Sequence, residues 1–210
     1  VDDSLSVSAK GIEIAEITDL ALVTLALPYG VDGDTLSQIV EAAFDITLPV
    51  LGSSSIARHG ERFLGLHQDR LYILLDDDRA RVAKLGYSTA ECLFLERLAD
   101  REALDPDEDD GNAEPILFLS DQSDSWFMVR LSGKRARQVL ERVCPLDLHE
   151  EVFELDDCAR TSMEHLAVII VREADDGFLL LSPRSTARSF VHELELSVDY
   201  TSELYLDENT

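Results

Sequence analysis

Lysine is nearly missing from this sequence. Only Lys10, Lys84 and Lys134 occur, and the other fifteen bases are arginines. Bases as a whole are scarce: 18 Lys and Arg stand against 43 Asp and Glu, a formal charge of −25. A surface of that sign repels phosphate backbones and anionic headgroups, so nucleic acids and membrane surfaces are poor partners, and cations or a basic protein surface are better ones. Excess acid with arginine in place of lysine fits a salt-tolerant or GC-rich source. Cysteine is scarce too. Cys92, Cys144 and Cys158 cannot all pair with one another and none forms a CxxC, which points to a reducing cytoplasm without a disulfide framework. Long apolar runs are absent: the longest nearly uninterrupted one, residues 20–27, is far short of the ~20 residues a spanning helix needs. Residues 1–10 are acidic and polar, unlike a secretory leader. Apolar material is not lacking, since 45% of the 210 residues are hydrophobic. That suffices for a core in one large domain or two small ones.

Two stretches carry the same pattern. Val23, Leu25 and Leu27 alternate as in a strand, a Pro-Tyr-Gly-Val-Asp-Gly turn follows, and Asp34 is placed to cap a helix with the stripe Leu36, Ile39, Val40 and Ala43. About a hundred residues later Phe127, Val129 and Leu131 alternate, Ser132-Gly133 offers a turn and cap, and Ala136, Val139, Leu140 and Val143 form the same stripe. Each stretch continues into a pair of apolar strands. Residues 63–66 and 71–75 are joined by His67-Gln68-Asp69-Arg70, and residues 166–171 and 178–181 by Ala174-Asp175-Asp176-Gly177. Helices are expected at 79–85, after Ser88, and over 187–196 with Phe190, Val191 and Leu194 inward. The class read from this is α+β with mostly antiparallel pairing, in two similar β-α-β-β-α halves, each burying one sheet face under its helices. Coincidence remains open, because alternation followed by helix recurs in unrelated folds.

The joint between the halves is acidic: residues 91–114 contain ten acids and two bases. The organisation expected is an N-terminal α+β half at 1–87, an acidic helix and linker insertion at 88–114, a C-terminal α+β half at 115–200, and a fraying acidic tail at 201–210. Residues 105–112 read as a loop, and a short strand follows Pro115 at 116–119.

Chemistry is hard to find. Asp105, Asp107 and Asp109 alternate like the start of a calcium loop, but the positions that need Gly and Glu are Asp110 and Ile116. Asp76-Asp77-Asp78 reads as a strand end and helix cap. The histidines form no HExxH pair. Glu164-His165 is expected at the head of a strand with side chains on opposite faces, and His149 in a structural turn. Cys144 is expected to pack at a helix end. No nucleophile elbow, phosphate loop or dinucleotide fingerprint occurs, so no catalytic, cofactor-binding or metal-binding residue is assigned. One feature opposes the overall charge: Arg130, Lys134, Arg135, Arg137 and Arg142 face only Glu141 in residues 130–142. Such an island is either a solvated helix face or a docking face for an acidic partner, the latter fitting a small adaptor.

The segments Asp121-Gln122-Ser123-Asp124-Ser125-Trp126, Arg130-Leu131-Ser132-Gly133, Cys144-Pro145-Leu146-Asp147-Leu148-His149, Cys158-Ala159-Arg160-Thr161 and Ser182-Pro183-Arg184-Ser185 together resemble the gamma subunit of heterotetrameric sarcosine oxidase. The resemblance covers 120–198 well and 15–75 fairly, while residues 88–114 and those after 200 depart from the pattern. It implies a fold like the folate-binding aminomethyltransferase and the N-terminal domain of a tRNA-modifying GTPase. It also implies assembly with alpha, beta and delta subunits. FAD, FMN, NAD, zinc and tetrahydrofolate would belong to those partners, and this chain would carry no catalytic residue. The complex would oxidise sarcosine to glycine and formaldehyde, or 5,10-methylenetetrahydrofolate, with hydrogen peroxide. Related alternatives are the matching subunit of an N-methylglutamate dehydrogenase and a free-standing folate-binding one-carbon protein.

Overall fold

Strands whose apolar residues run on without a polar alternate must be buried on both faces, and four strands here have that character. The computed structural model describes residues 6–9, 11–26, 33–68, 70–76 and 118–207. The strands are β1 (Ser6–Ala9), β2 (Ile12–Glu16), β3 (Leu20–Ala26), β4 (Ser54–Ile56), β5 (Arg62–Leu64), β6 (Arg70–Asp76), β7 (Phe118–Asp121), β8 (Trp126–Ser132), β9 (Cys158–Met163), β10 (Leu166–Ala174) and β11 (Gly177–Pro183). The helices are α1 (Gly33–Phe44), α2 (Ala136–Val143) and α3 (Ala187–Asp207). In β11 every residue from Gly177 to Ser182 is buried, and β3, β6 and β10 each have a run of five. One face lies under helices as expected, with Phe178 and Leu180 in the helix-covered core, and Leu179 and Leu181 on the opposite face are equally buried.

The fold is α+β, with two antiparallel sheets in the orders β1-β2-β8-β11-β10-β9 and β4-β5-β6-β3-β7. The anticipated repeat is visible in the pairing. β8 leads through α2 to the β9–β10–β11 meander and pairs with β11; β3 leads through α1 to the β4–β5–β6 meander and pairs with β6. Each sheet is then completed by a strand from outside its repeat. β2 pairs with β8 in the register Ile14↔Leu131, and β7 pairs with β3 in the register Leu25↔Leu119.

The described residues fall into two compact units, 1–18 with 124–210, and 19–123; the divisions expected at 87/88 and 114/115 lie outside the described residues. The β1–β2 hairpin was not foreseen, and its pairing with β8 carries the first residues into the C-terminal unit. The strand expected near 116–119 is β7 and belongs with β3. The 201–210 tail is also revised, because α3 runs on to Asp207 with Thr201 and Ser202 buried. Residues 77–117 lie outside the described ones, and with them the helices expected at 79–85 and after Ser88, Cys92, and the acidic stretch. Leu27, Asp69, residues 208–210 and the side chains of Asp34, Ile39 and Ala43 do so as well.

In the unit 19–123, Leu36, Val40 and Phe44 of α1 pack on Val23, Leu25, Phe63, Leu71, Ile73 and Leu75. Phe44 meets Phe63 edge-on at 5.0 Å between ring centroids. In the other unit, α2 and α3 cover Phe127, Val129, Leu131, Val168, Ile170, Phe178 and Leu180. Among the described residues no helix is long and apolar enough to cross a membrane.

Two tight turns set this geometry. Gly133, at φ 113°, leads from β8 to α2, its N–H bonded to the Asp176 carbonyl at 2.9 Å. A Cβ there would run into the Gly11 carbonyl group. Glu164 and His165 are not the head of a strand. They are the two-residue turn between β9 and β10, both with positive φ (44° and 71°) as a type I′ turn requires.

Gly133→Ala is expected to lower the unfolding free energy by at least about 2 kcal/mol, read as an earlier denaturant midpoint. Replacing Glu164-His165 by Asn-Gly should do the reverse, adding about 1 kcal/mol and raising the melting temperature, because two ordinary residues no longer occupy left-handed backbone.

Candidate partner interface

Four of the five bases of the sequence's basic island lie in α2 or immediately before it, beside α3. Ala136, Val139 and Leu140 turn the inner side of α2 into the core. Buried Ser197 of α3 donates its hydroxyl to the Val139 carbonyl at 2.7 Å and ties the two helices together. The expected cap is corrected. Arg135 occupies the cap position without a side-chain hydrogen bond, and the Ala136 N–H is met by the Gly133 carbonyl at 2.8 Å.

The five bases do not form one patch. Arg130 projects from β8, not from the helix, and its Nε lies 2.8 Å from Glu173 of β10. That ion pair links two strands of one sheet and takes Arg130 out of the helical face. Arg135 is half-buried and has an interaction partner. Lys134 is exposed and Arg137 half-buried on α2. Arg142, in the last turn, lies over the ring of Tyr200 of α3 at 4.9 Å from its centroid. Sequence spacing missed Tyr200, 58 residues away, because only the packing of α3 along α2 brings it there. The residual signal was its helical spacing from Leu196, also exposed.

The other residues singled out in the sequence have structural surroundings. Cys144 is buried at the end of α2, with its sulfur 3.9 Å from the Thr161 hydroxyl. His149 sits in a turn: its N–H meets the Asp147 carboxylate at 3.0 Å, and its carbonyl accepts from Val152 and Phe153. The motifs that carried the resemblance act likewise. Leu148 is core. Arg184 donates to the carbonyls of Asp124 (3.1 Å) and Trp126 (2.9 Å), holding the start of β8. Ser123 Oγ accepts from the Leu22 N–H at 3.0 Å and joins the residue after β7's pairing to β3. Among the described residues no group of three His, Cys, Asp or Glu could hold a metal ion.

Among the described residues three buried charges were missed, Glu61, Arg62 and Arg172. Arg172 of β10 is 4% exposed. Its Nη1 donates to the Phe153 carbonyl at 2.7 Å, and its backbone bonds Asp156 and Asp157 at 2.9 Å each. It thus pins the segment between α2 and β9 against the sheet. Nη2 lies 3.6 Å from Asp175, a solvent-exposed carboxylate that adds little.

No family model and no curated protein matches the sequence. The fold does find counterparts. A chain of the heterotetrameric sarcosine oxidase from Corynebacterium sp. U-96, solved with pyrrole 2-carboxylate, superposes with a TM-score of 0.69 at 21% identity, over 94% of this chain and 89% of that one. The glycine cleavage system aminomethyltransferase T from Bartonella henselae superposes with a TM-score of 0.57 at 16% identity, over 85% of this chain. This chain spans only 44% of that enzyme. At these identities the likeness is one of fold, and the fold is the one the sequence motifs implied.

Arg172→Met should lower stability by about 2–3 kcal/mol, since the Phe153 carbonyl loses a charge-assisted donor inside the protein. Limited proteolysis should then cut within residues 145–157 earlier than in the wild-type chain.

Proposed function

We propose that this chain is a gamma-type subunit of a flavin-dependent heterotetrameric sarcosine oxidase, serving assembly and stability of the complex and not its chemistry. The observation that carries this reading is the two-sided extent of the fold match. A chain of the Corynebacterium enzyme is covered over 89% of its length, so the two chains are of similar size as well as similar fold. The aminomethyltransferase is covered over less than half. In this reading alpha, beta and delta partners hold FAD, FMN, NAD, zinc and tetrahydrofolate. The complex consumes sarcosine, dioxygen and water, and yields glycine, formaldehyde and hydrogen peroxide. With tetrahydrofolate the one-carbon unit leaves as 5,10-methylenetetrahydrofolate. The cytoplasm is the compartment that fits three scattered cysteines and no CxxC.

The aminomethyltransferase likeness favours one rival, a free-standing folate-binding one-carbon protein. A tagged copy purified from its native source separates the two. The subunit reading expects an assembly far larger than 23.4 kDa, with flavin absorbance and sarcosine-dependent peroxide release. A flavin-free monomer that binds tetrahydrofolate tightly on its own would replace it with the rival.

A further inference from the structure

Lys134, Arg135 and Arg137 stand at the N-terminal end of α2. A cation there opposes the helix macrodipole and costs about 0.3–1 kcal/mol. Their positions do not serve the helix, in a chain where bases number 18 against 43 acids. Arg142 is at the favourable end but is engaged in an unusual way. Its guanidinium carbon lies over the Tyr200 ring, 4.9 Å from the centroid, and an arginine so placed still has N–H donors to offer a carboxylate. Among the described residues no carboxylate pairs with it.

Tyr200 is 53% exposed, and Leu196, one helical turn earlier, is 38% exposed. An arginine held in place beside an exposed tyrosine and leucine has the composition of an interface centre, and its ordering cost is partly met before anything binds. Asp199 and Glu203 of α3 are exposed, as is Glu141 of α2. The face therefore combines the cations of α2, interrupted by Glu141, with the apolar pair Leu196 and Tyr200 and the acids of α3. Such a pattern accepts an anionic segment in one orientation and repels it in the other.

We infer that the α2–α3 face docks an acidic segment of a partner subunit. One carboxylate takes the fork of Arg142, others lie along Lys134 and Arg137, and an apolar side chain covers Leu196 and Tyr200. The inference rests on the subunit reading above and adds to it the surface and the chemistry of the contact. A second copy of this chain is the weaker occupant, because two bodies of charge −25 repel each other at long range.

The test uses the tagged full chain in its native source, as wild type, Arg142→Glu, Arg142→Gln and Arg188→Glu. Arg188 is exposed near the start of α3 and serves as a charge-matched control. Arg142→Glu should reduce the partner subunits recovered per tagged chain at least about tenfold, and Arg142→Gln should give a smaller loss. Arg188→Glu should match wild type in recovery. Arg142→Glu and Arg142→Gln both lose the Tyr200 contact and should melt slightly below wild type while still unfolding cooperatively, so a larger loss of partners with Arg142→Glu than with Arg142→Gln reads charge and not folding. A photo-reactive phenylalanine at position 200 should cross-link to an Asp- and Glu-rich peptide of another chain. Undiminished recovery with Arg142→Glu sinks the docking face while the subunit reading stands. A cross-link to a second copy, or to a basic peptide, also overturns it. Wild-type chain recovered without partners removes the subunit reading and this inference together.

Discussion

A strand buried on both faces cannot end its sheet without carrying a row of unpaired N–H and C=O groups into the interior, at about 1–3 kcal/mol for each group left unsatisfied. β3 is such a strand, and β8 is buried along the face that α2 and α3 cover; each meander supplies a neighbour on one side only, β6 for β3 and β11 for β8. β2 and β7 provide the second neighbour. The boundaries of the two units, the double crossing of the chain between them at 18/19 and 123/124, and the tight turns that let the strands approach all follow from satisfying those backbone groups. Gly133 shows how closely: the end of β8 runs so near Gly11 that no side chain fits between them.

The same requirement gives the short polar motifs their structural roles. Arg184, Ser123 and Arg172 each meet a backbone group at a place where a strand begins, ends or is crossed by a loop. These are positions where regular pairing stops and a side chain has to stand in for a neighbouring strand. The likeness to an oxidase chain and to an aminomethyltransferase accordingly speaks to architecture, and the functional reading depends on how much of each chain is covered.

Much of the fold was legible in the residues. The alternation at 127–131 and the stripe at 136–143 became β8 and α2, and the Ala174–Gly177 turn joined β10 to β11 as read. The β1–β2 hairpin was not legible, because Ser6–Ala9 and Ile12–Glu16 are short and mix polar with apolar residues. Their strand character comes from the waiting edge of β8. Glu164-His165 misled for a related reason: neither residue advertises a turn, and the register of β9 on β10 forces both into left-handed backbone. Of the candidate site, the cluster of bases was visible, but its division was not, since Arg130 and Arg142 differ only in which element carries them.

By itself the sequence determined the class of fold, the two-fold repeat, the sign of the surface and the inner faces of the helices. These are set by local periodicity and by composition, which need no knowledge of distant partners. The tertiary structure decided which strand closes each sheet, that both sheet faces are buried, and that Arg142 meets Tyr200 while Arg130 meets Glu173. Those outcomes depend on contacts between residues tens to more than a hundred positions apart. In this chain it is backbone hydrogen-bond satisfaction across such separations, and not any local pattern, that chooses among them.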